Sequence, residues 1–135
     1  EKLKRYFKIE SLKEIPKIVV FLDSSYYNEN IISCFLFYDF INKKILKKKF
    51  IVDKVFVKYI PTYLSLREAP FYLKGLKNEK FDLMVVDGQG ISHPRRMGIA
   101  TYLGTKLKKP SIGIAKNLLY GIYEKVGDKK VITVL

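Results

Sequence analysis

Hydrophobic and polar positions alternate in blocks along the first half of the chain, and three apolar blocks predict β-strands. Residues 18–23 form a short apolar run that closes on a carboxylate, and residues 24–30 are polar and typical of a turn. Residues 31–40 and 45–57 are rich in β-branched and aromatic side chains, with Asn42 between them. Because strands joined by short turns usually pair with each other, this pattern predicts a three-stranded antiparallel meander.

From residue 66 onwards the apolar positions follow the period of a helix. A first helix is indicated by four residues at helical spacing, Leu66, Ala69, Leu73 and Leu76. Pro70 suits only the first turn of a helix, so this helix is predicted to begin near residues 66–68. A second helix is predicted from Pro94 to about Lys108. One of its faces would carry Met97, Thr101, Gly104 and Leu107.

Short apolar strands alternate with these helices at residues 83–87 and 111–115, and residues 130–135 form a further strand-like run. The order of a meander followed by helix, strand, helix and strand is that of a ribonuclease H-like α/β fold with a mixed sheet. In that fold the first strand and the strand after the first helix lie side by side and parallel. The acids at their ends, Asp23 and Asp87, are therefore expected within reach of one metal ion. A chain of 135 residues predicts a single domain over residues 1–135.

The charge of the chain favours a polyanionic partner. It carries 26 Lys and Arg against 13 Asp and Glu, for a net charge of +13, and such a surface attracts nucleic acid. A generally lysine-rich proteome would give the same excess without any ligand. No apolar run approaches the ~20 residues that a membrane span needs, so no membrane association is expected. The single cysteine, Cys34, excludes an internal disulfide and fits a reducing cytoplasm, where it is predicted to fill core space. The protein is expected to be a monomer.

The segment after the predicted strand at residues 83–87 carries candidate chemistry. The strand ends on Asp87, and Gly88 and Gly90 allow a sharp turn or a close approach to a ligand. His93, the only histidine, and a pair of arginines follow. An acid beside a tight loop, an imidazole and guanidinium groups suits metal-dependent chemistry on a phosphate. The alternative interpretation is a strand-to-helix turn whose aspartate only caps the loop.

Four segments taken in order resemble the endonuclease V family, which nicks nucleic acid near deaminated purines, chiefly inosine. They are Phe21-Leu22-Asp23-Ser24-Ser25-Tyr26, residues 59–70, residues 86–100 with the His-Pro-Arg-Arg run, and Ser111-Ile112-Gly113-Ile114-Ala115-Lys116. The resemblance spans roughly residues 18–120. It implies a phosphodiester hydrolase that cuts the second bond 3′ to the lesion and leaves 3′-hydroxyl and 5′-phosphate ends.

The resemblance also implies which residues carry the reaction. Asp23, Glu68 and Asp87 match three catalytic carboxylates that bind Mg²⁺, with Mn²⁺ able to substitute. His93 matches a residue that orients water or transfers a proton, and Lys116 matches a lysine near the scissile phosphate. Each has a plainer alternative: Glu68 as the end of a Ser-x-x-Glu capping box, His93 as a substitute for a helix N-cap next to Pro94, and Lys116 as a solvated strand end.

A second set of residues matches the family's contacts with nucleic acid. Tyr59, Ile60 and Pro61 resemble a wedge that enters the duplex where the damaged base leaves the stack. The loop at Gly88 and Gly90 and the apolar side chains of Leu64 and Ile99 match the pocket for the flipped base. The implied partner is DNA, and possibly RNA, containing inosine.

The chain departs from the family pattern at Lys58, Thr62 and Gln89. Two other interpretations therefore stay open. One is a different ribonuclease H-like nuclease, since three carboxylates on this fold serve several reactions. The other is a basic nucleic-acid-binding module that performs no chemistry.

Overall fold

The computed structural model of the chain describes residues 7–56, 58, 63–127 and 129–133. Its helices and strands, in chain order, are β1 (Ile18–Tyr27), β2 (Asn30–Asp39), β3 (Lys44–Lys54), α1 (Leu64–Leu76), β4 (Leu83–Asp87), α2 (Ile99–Leu107), β5 (Ser111–Ile114), β6 (Ile122–Val126) and β7 (Lys129–Thr133). Within this described part, neither helix is both long enough and apolar enough to cross a membrane.

Five strands form one mixed sheet in the order β3-β2-β1-β4-β5, and β6 and β7 pair separately as a hairpin. β1, β2 and β3 are antiparallel, whereas β1 with β4 and β4 with β5 are parallel. The predicted fold class, a meander followed by helix, strand, helix and strand in a mixed sheet, is therefore confirmed.

The pairing of β1 with β4 fixes where the candidate site lies. The parallel register runs from Val19 opposite Leu83 to Leu22 opposite Val86. At the start of the pair, the Asp82 carboxylate accepts hydrogen bonds from the backbone N–H groups of residues 17 and 18, at 3.1 and 2.9 Å. The next residues beyond the paired stretch are the two aspartates that end the apolar runs.

Both helices pack on the same face of the sheet. The buried core there consists of Val20, Leu22, Phe35, Phe37, Ala69, Tyr72, Leu76, Phe81, Met84, Val86, Ile99, Ala100 and Leu103. The Phe35 and Tyr72 rings meet edge to face, with centroids 6.0 Å apart, which joins α1 to the sheet. On the opposite face, Phe21, Ile112 and Ile114 are exposed to solvent.

The first strand is longer than its apolar run predicts. β1 continues to Tyr27, so the turn predicted at residues 24–30 is wrong for its first four residues. Ser24 lies opposite Ser33 and Tyr26 opposite Ile31, because the antiparallel ladder with β2 continues through these polar positions. β3 ends at Lys54, three residues before its predicted end. Cys34 is half-buried, so it only partly fills core space.

The helix boundaries also differ from the prediction. α1 begins at Leu64 and so includes Pro70 in its interior, where the proline is exposed and the helix continues past it. α2 begins at Ile99 and not at Pro94, because Arg96 has a left-handed φ of 53° that interrupts helical geometry. Its buried residues are Ile99, Ala100 and Leu103.

The end of the described chain contains one strand that the sequence pattern did not indicate. β6 covers Ile122–Val126 and pairs with β7, which begins one residue before the predicted run at 130–135. The last two positions of that run lie outside the described residues. β5 ends at Ile114, so Ala115 and Lys116 follow the strand.

Candidate active site

Asp23, in the middle of β1, and Asp87, the last residue of β4, lie next to each other where the parallel pairing of the two strands stops. They directly follow Leu22 and Val86, the last register pair of these two parallel strands. Burial raises the pKa of Asp87 above its ordinary value, and the neighbouring Asp23 carboxylate raises it further, while Lys116 opposes the shift. The structure therefore brings together two carboxylates that repel each other.

Glu68 approaches this pair from α1. Its side chain is only 5% exposed. The pKa of Glu68 is raised to about 7, first by burial and then by the charges of Asp23 and Asp87. The capping-box alternative is wrong, because the residue that precedes the helix is Tyr63, and the structure shows no side-chain capping hydrogen bond there.

Two residues oppose the rise in the pKa of Glu68. The Tyr26 hydroxyl donates a hydrogen bond of 2.8 Å to Glu68 Oε1. The Arg67 guanidinium lies 4.1 Å from the centre of the Tyr26 ring, and its charge also favours the carboxylate. Neither residue was predicted as part of the site. A β1 strand that continues through Ser24 and Tyr26 would have been the signal, because Val20, Leu22, Ser24 and Tyr26 alternate onto the face that α1 covers.

The three carboxylates line one open pocket of about 330 Å³ together with Lys116. The other residues that line it are Ser24, Gly88, Gln89, Ala115 and Asn117. The Gln89 side-chain amide donates a hydrogen bond of 2.9 Å to the Asn117 carbonyl, which ties the loop after β4 to the segment after β5. Of these residues, Gln89 was recognised only as a departure from the family pattern. Ser24, Ala115 and Asn117 were not predicted to be part of the site.

A buried polar network supports the floor of this pocket. The Ser24 hydroxyl donates a hydrogen bond of 2.8 Å to the Tyr72 hydroxyl and lies 3.1 Å from the Ser33 hydroxyl. Burial raises the pKa of Tyr72, so its hydroxyl stays protonated at any working pH. Hydrogen-bonded groups in a buried network have fixed orientations, so Ser24 and the part of β1 next to Asp23 are held in place.

The loop after β4 needs a glycine at its first position. Gly88 has a φ of 154°, and a Cβ there would lie 2.4 Å from Ile99 Cγ2. Ile99 is 2% exposed and belongs to the core, so it backs the loop and does not line the pocket. A Cβ on Gly90 would meet nothing closer than 3.7 Å, so Gly90 has no such steric requirement.

His93 lies in the turn between β4 and α2 and is 5% exposed. Its Nδ1 accepts a hydrogen bond of 3.1 Å from the backbone N–H of Arg95, so a neutral imidazole carries its proton on Nε2. The helix N-cap alternative for His93 is wrong, because Gly98 is the residue that precedes α2. His93 is not among the residues that line the pocket. The predicted role of His93 in proton transfer stays a prediction.

The predicted wedge, Tyr59, Ile60 and Pro61, lies outside the described residues, as does the side chain of Leu64. Tyr63, two residues after this segment, is held by Arg95, whose guanidinium lies 3.8 Å from the centre of the Tyr63 ring. This contact places the His-Pro-Arg-Arg turn beside the start of α1.

The residues of the pocket fit a divalent cation. Carboxylate oxygens are hard ligands, and a cation would relieve the repulsion that raises the pKa of Asp87 and Glu68. Among the described residues no three His, Cys, Asp or Glu side chains already stand at coordinating distance. An ion such as Mg²⁺ needs only one or two carboxylates and keeps several waters. Asp23 and Asp87 therefore meet its requirements.

Comparisons with known proteins agree with this geometry. Endonuclease V of Petrotoga mobilis is 36% identical over 132 residues, which cover 96% of this chain and 60% of that protein. The structure of endonuclease V from Streptomyces avermitilis superposes with a TM-score of 0.84 at 28% identity and covers 95% of this chain and 59% of its own. That of Ciona intestinalis endonuclease V in complex with a 24-mer DNA containing an inosine followed by a ribo-adenosine has a TM-score of 0.68 at 32% identity, with coverage of 79% and 48%.

The chain thus spans about half to three fifths of the length of these relatives. The Endonuclease V family model matches residues 1–134, almost the whole sequence. With two carboxylates just beyond the paired stretch of two parallel strands and a third beside them, this chain belongs to the endonuclease V family.

Proposed function

We propose that this protein is a metal-dependent endonuclease that recognises hypoxanthine in nucleic acid and hydrolyses the second phosphodiester 3′ to it, as a step of DNA repair. The observation that carries the proposal is the pocket in which Asp23, Glu68, Asp87 and Lys116 meet. Membership of the endonuclease V family supports the reaction type. Mg²⁺ is the proposed ion and Mn²⁺ its substitute, held by Asp23 and Asp87 with Glu68 beside them.

The bound ion, Lys116 and Gln89 have different roles in this proposal. A bound divalent ion supplies a Lewis acid for the phosphodiester and a water of lowered pKa. Lys116, close enough to Asp87 to lower the pKa of that carboxyl, offers a positive charge to the scissile phosphate. The hydrogen bond from Gln89 to the Asn117 carbonyl holds the two loops that enclose the phosphate site.

Recognition of the base is assigned to the loop after β4 and to the segment before α1. The backbone of Gly88 and Gly90 is proposed to reach the edge of the flipped base, with Ile99 supporting the loop from the core. The Tyr59-Ile60-Pro61 segment is proposed to fill the place that the base leaves. Replacement of Tyr59 by alanine should reduce the preference for inosine more than it reduces metal binding.

The partner proposed for this site is DNA, and possibly RNA, that contains inosine. The net charge of +13 supports a polyanionic partner, and a relative from Ciona intestinalis was solved with inosine-containing DNA. We further propose a monomer in the cytoplasm; the single cysteine, which excludes an internal disulfide, supports a reducing compartment.

A second function, nucleic-acid binding without chemistry, is favoured by the departures from the family pattern at Thr62 and Gln89 together with the net charge of +13. On this alternative the pocket would bind phosphate through Lys116 and lack turnover.

The two functions are separated by a cleavage assay with end-labelled oligonucleotides that do or do not contain inosine, in Mg²⁺ and in EDTA. The proposed function predicts Mg²⁺-dependent cutting at one position 3′ to inosine, with a 3′-hydroxyl end that ligase accepts. Asp87→Asn should abolish cutting, whereas Asp53→Asn, which removes a surface acid paired with Lys74, should not. Equal cutting with and without inosine, or cutting in EDTA, would contradict the proposal. Salt-sensitive binding without any cutting would support the second function.

A further inference from the structure

Tyr26 lies outside the pocket lining, yet its side chain is hydrogen-bonded to the carboxylate of Glu68, a predicted metal ligand. Its hydroxyl donates to Glu68 Oε1 at 2.8 Å across the interface between β1 and α1. Ser24 and Glu68 are among the residues that line the pocket, whereas Tyr26 is not. Tyr26 therefore contacts a residue of the site without lining the pocket itself.

The position of the Tyr26 ring is itself fixed by two neighbours. Residue 26 lies opposite Ile31 in the ladder between β1 and β2, which sets its backbone. The Arg67 guanidinium lies 4.1 Å from the centre of the ring, on the side chain next to Glu68 in sequence. Because the ladder holds the backbone of Tyr26 and Arg67 contacts its ring, the hydroxyl has little freedom. It therefore gives the Glu68 carboxylate a defined orientation.

We infer that Tyr26 is a positioning residue: its hydroxyl holds the Glu68 carboxylate in the orientation in which Glu68 can join Asp23 and Asp87 in binding a divalent ion. This inference rests on the proposed function. Groups that hydrogen-bond to a metal ligand fix its orientation, and their loss typically weakens metal binding by about 10- to 100-fold. Glu68 is on a different element from the two aspartates, so its alignment depends on such a contact.

The alternative is that the hydrogen bond only satisfies a buried polar group. Glu68 is 5% exposed, so a partner for its carboxylate is expected on grounds of burial alone. A purely structural role would lower stability when the hydroxyl is removed and would leave the affinity of the folded protein for the ion unchanged. Metal affinity measured without nucleic acid therefore separates the two roles.

The test is Tyr26→Phe, which keeps the ring and its contact with Arg67 and removes only the hydroxyl. Tyr27→Phe is the matched control, because Tyr27 is the adjacent residue in the same strand and is 70% exposed. Mn²⁺ binding is measured by calorimetry on the folded chain, and the Mn²⁺ concentration that gives half-maximal cleavage of an inosine oligonucleotide is measured in parallel. Binding to the same oligonucleotide is measured in EDTA.

We expect Tyr26→Phe to weaken Mn²⁺ binding by about tenfold and to raise the half-maximal Mn²⁺ concentration by a similar factor. Oligonucleotide affinity in EDTA and cleavage at saturating Mn²⁺ should stay within about twofold of the unsubstituted protein, as should every value for Tyr27→Phe. Unchanged Mn²⁺ affinity in Tyr26→Phe, with binding by the unsubstituted protein intact, would overturn the inference alone. No Mn²⁺ binding by the unsubstituted protein would overturn the proposed function and this inference with it.

Discussion

Asp23 and Asp87 are neighbours because Leu22 and Val86 are the last register pair of two parallel strands. Each carboxylate follows an apolar residue that is buried in the core. Neither aspartate can therefore shift along its strand without disturbing the packing beneath it. The raised pKa of Asp87 is partly a consequence of this proximity. In the absence of a cation, the protein thus carries an unfavourable interaction between these two carboxylates.

The first prediction concerns this repulsion. Asp87→Asn should raise the free energy of unfolding of the metal-free protein at pH 8 by a few tenths to about 1 kcal/mol, because it removes one of two like charges at an exposed position. Urea unfolding in EDTA measures the effect. The same variant should lose the stabilisation that millimolar Mn²⁺ gives to the unsubstituted protein.

Asp53→Asn is the control for that experiment. Asp53 accepts a hydrogen bond from the Lys74 ammonium and has a lowered pKa, so its loss should slightly destabilise the protein and leave the effect of Mn²⁺ intact. A lower stability for Asp87→Asn in EDTA would contradict the idea that the two carboxylates repel each other.

The second prediction concerns the pH dependence that Glu68 contributes. Its pKa is about 7 in the folded state against an ordinary value of 4.5, so between these values the folded protein keeps a proton that the unfolded chain has lost. Stability therefore falls as pH rises from 4.5 to 7 and levels off above that, by on the order of 3 kcal/mol for this residue. Unfolding in urea at pH 5 and pH 8, in EDTA, measures the difference.

Glu68→Gln isolates this contribution from those of the other acids. Glutamine keeps an oxygen that accepts the Tyr26 hydrogen bond but does not ionise, so the variant should be more stable than the unsubstituted protein at pH 8. At pH 5 the two should differ little. An equal difference between the two proteins at both pH values would show that Glu68 titrates at its ordinary pKa.

The third prediction tests the loop after β4. Gly88→Ala should cost about 1–3 kcal/mol, because alanine is strained at this φ and its Cβ would overlap Ile99 Cγ2. Gly90→Ala is the matched control two residues later, where a Cβ has room, and should change stability by less than about 0.5 kcal/mol.

Thermal and urea unfolding of both variants checks the third prediction. Ile99→Ala destabilises the core by itself, but it removes the atom that Gly88→Ala would strike. The double variant should therefore be more stable than the sum of the single effects indicates. Strict additivity would mean that the steric contact with Ile99 does not limit residue 88.

The fourth prediction concerns Asp82, which joins the starts of β1 and β4. Asp82→Ala removes both hydrogen bonds to the backbone of residues 17 and 18 and should cost about 1 kcal/mol. Asp82→Asn keeps an acceptor oxygen and should recover most of the loss. Urea unfolding of the two variants measures this, and equal destabilisation by both would indicate that charge, and not the acceptor, is what matters.

The fifth prediction concerns salt. Affinity for an inosine oligonucleotide in EDTA should fall on the order of 10-fold or more between 50 and 200 mM salt, because each phosphate contact releases counterions. Lys116→Gln should reduce the steepness of that fall. Lys47→Gln should leave it unchanged, since Lys47 is already paired with Glu79 at 2.7 Å. Fluorescence anisotropy measures all three proteins, and equal slopes for Lys116→Gln and the unsubstituted protein would remove Lys116 from the interface.

The sequence was sufficient to predict the fold where apolar runs decide it. The parallel neighbours β1 and β4 are continuous apolar runs that end on aspartates, and their pairing followed from the order of elements. It was not sufficient for the last four residues of β1, because Ser24 and Ser25 interrupt the apolar run and are typical of turns. Their strand geometry depends on the β2 ladder and on contacts with α1, which no local pattern contains.

The start of α2 was missed for a related reason. Pro94 is a good first residue for a helix, but the backbone N–H of Arg95 is bonded to His93 Nδ1 and Arg96 is left-handed, so the chain makes a turn first. The same holds for the site. Carboxylates were identifiable by residue type and order, whereas the contact of Tyr26 with Glu68 depends on the packing of α1 against the sheet.

The pairing of β1 with β4 has a consequence for how the site is acquired during folding. Ile18 and Asp82, which are hydrogen-bonded at the start of this pair, are 64 positions apart in the sequence, so the chain must close a long loop before the two strands can meet. Until then Asp23 and Asp87 are distant acids without mutual repulsion or affinity for an ion. The return of Mn²⁺ binding during refolding would therefore report the moment at which this long-range pairing is complete.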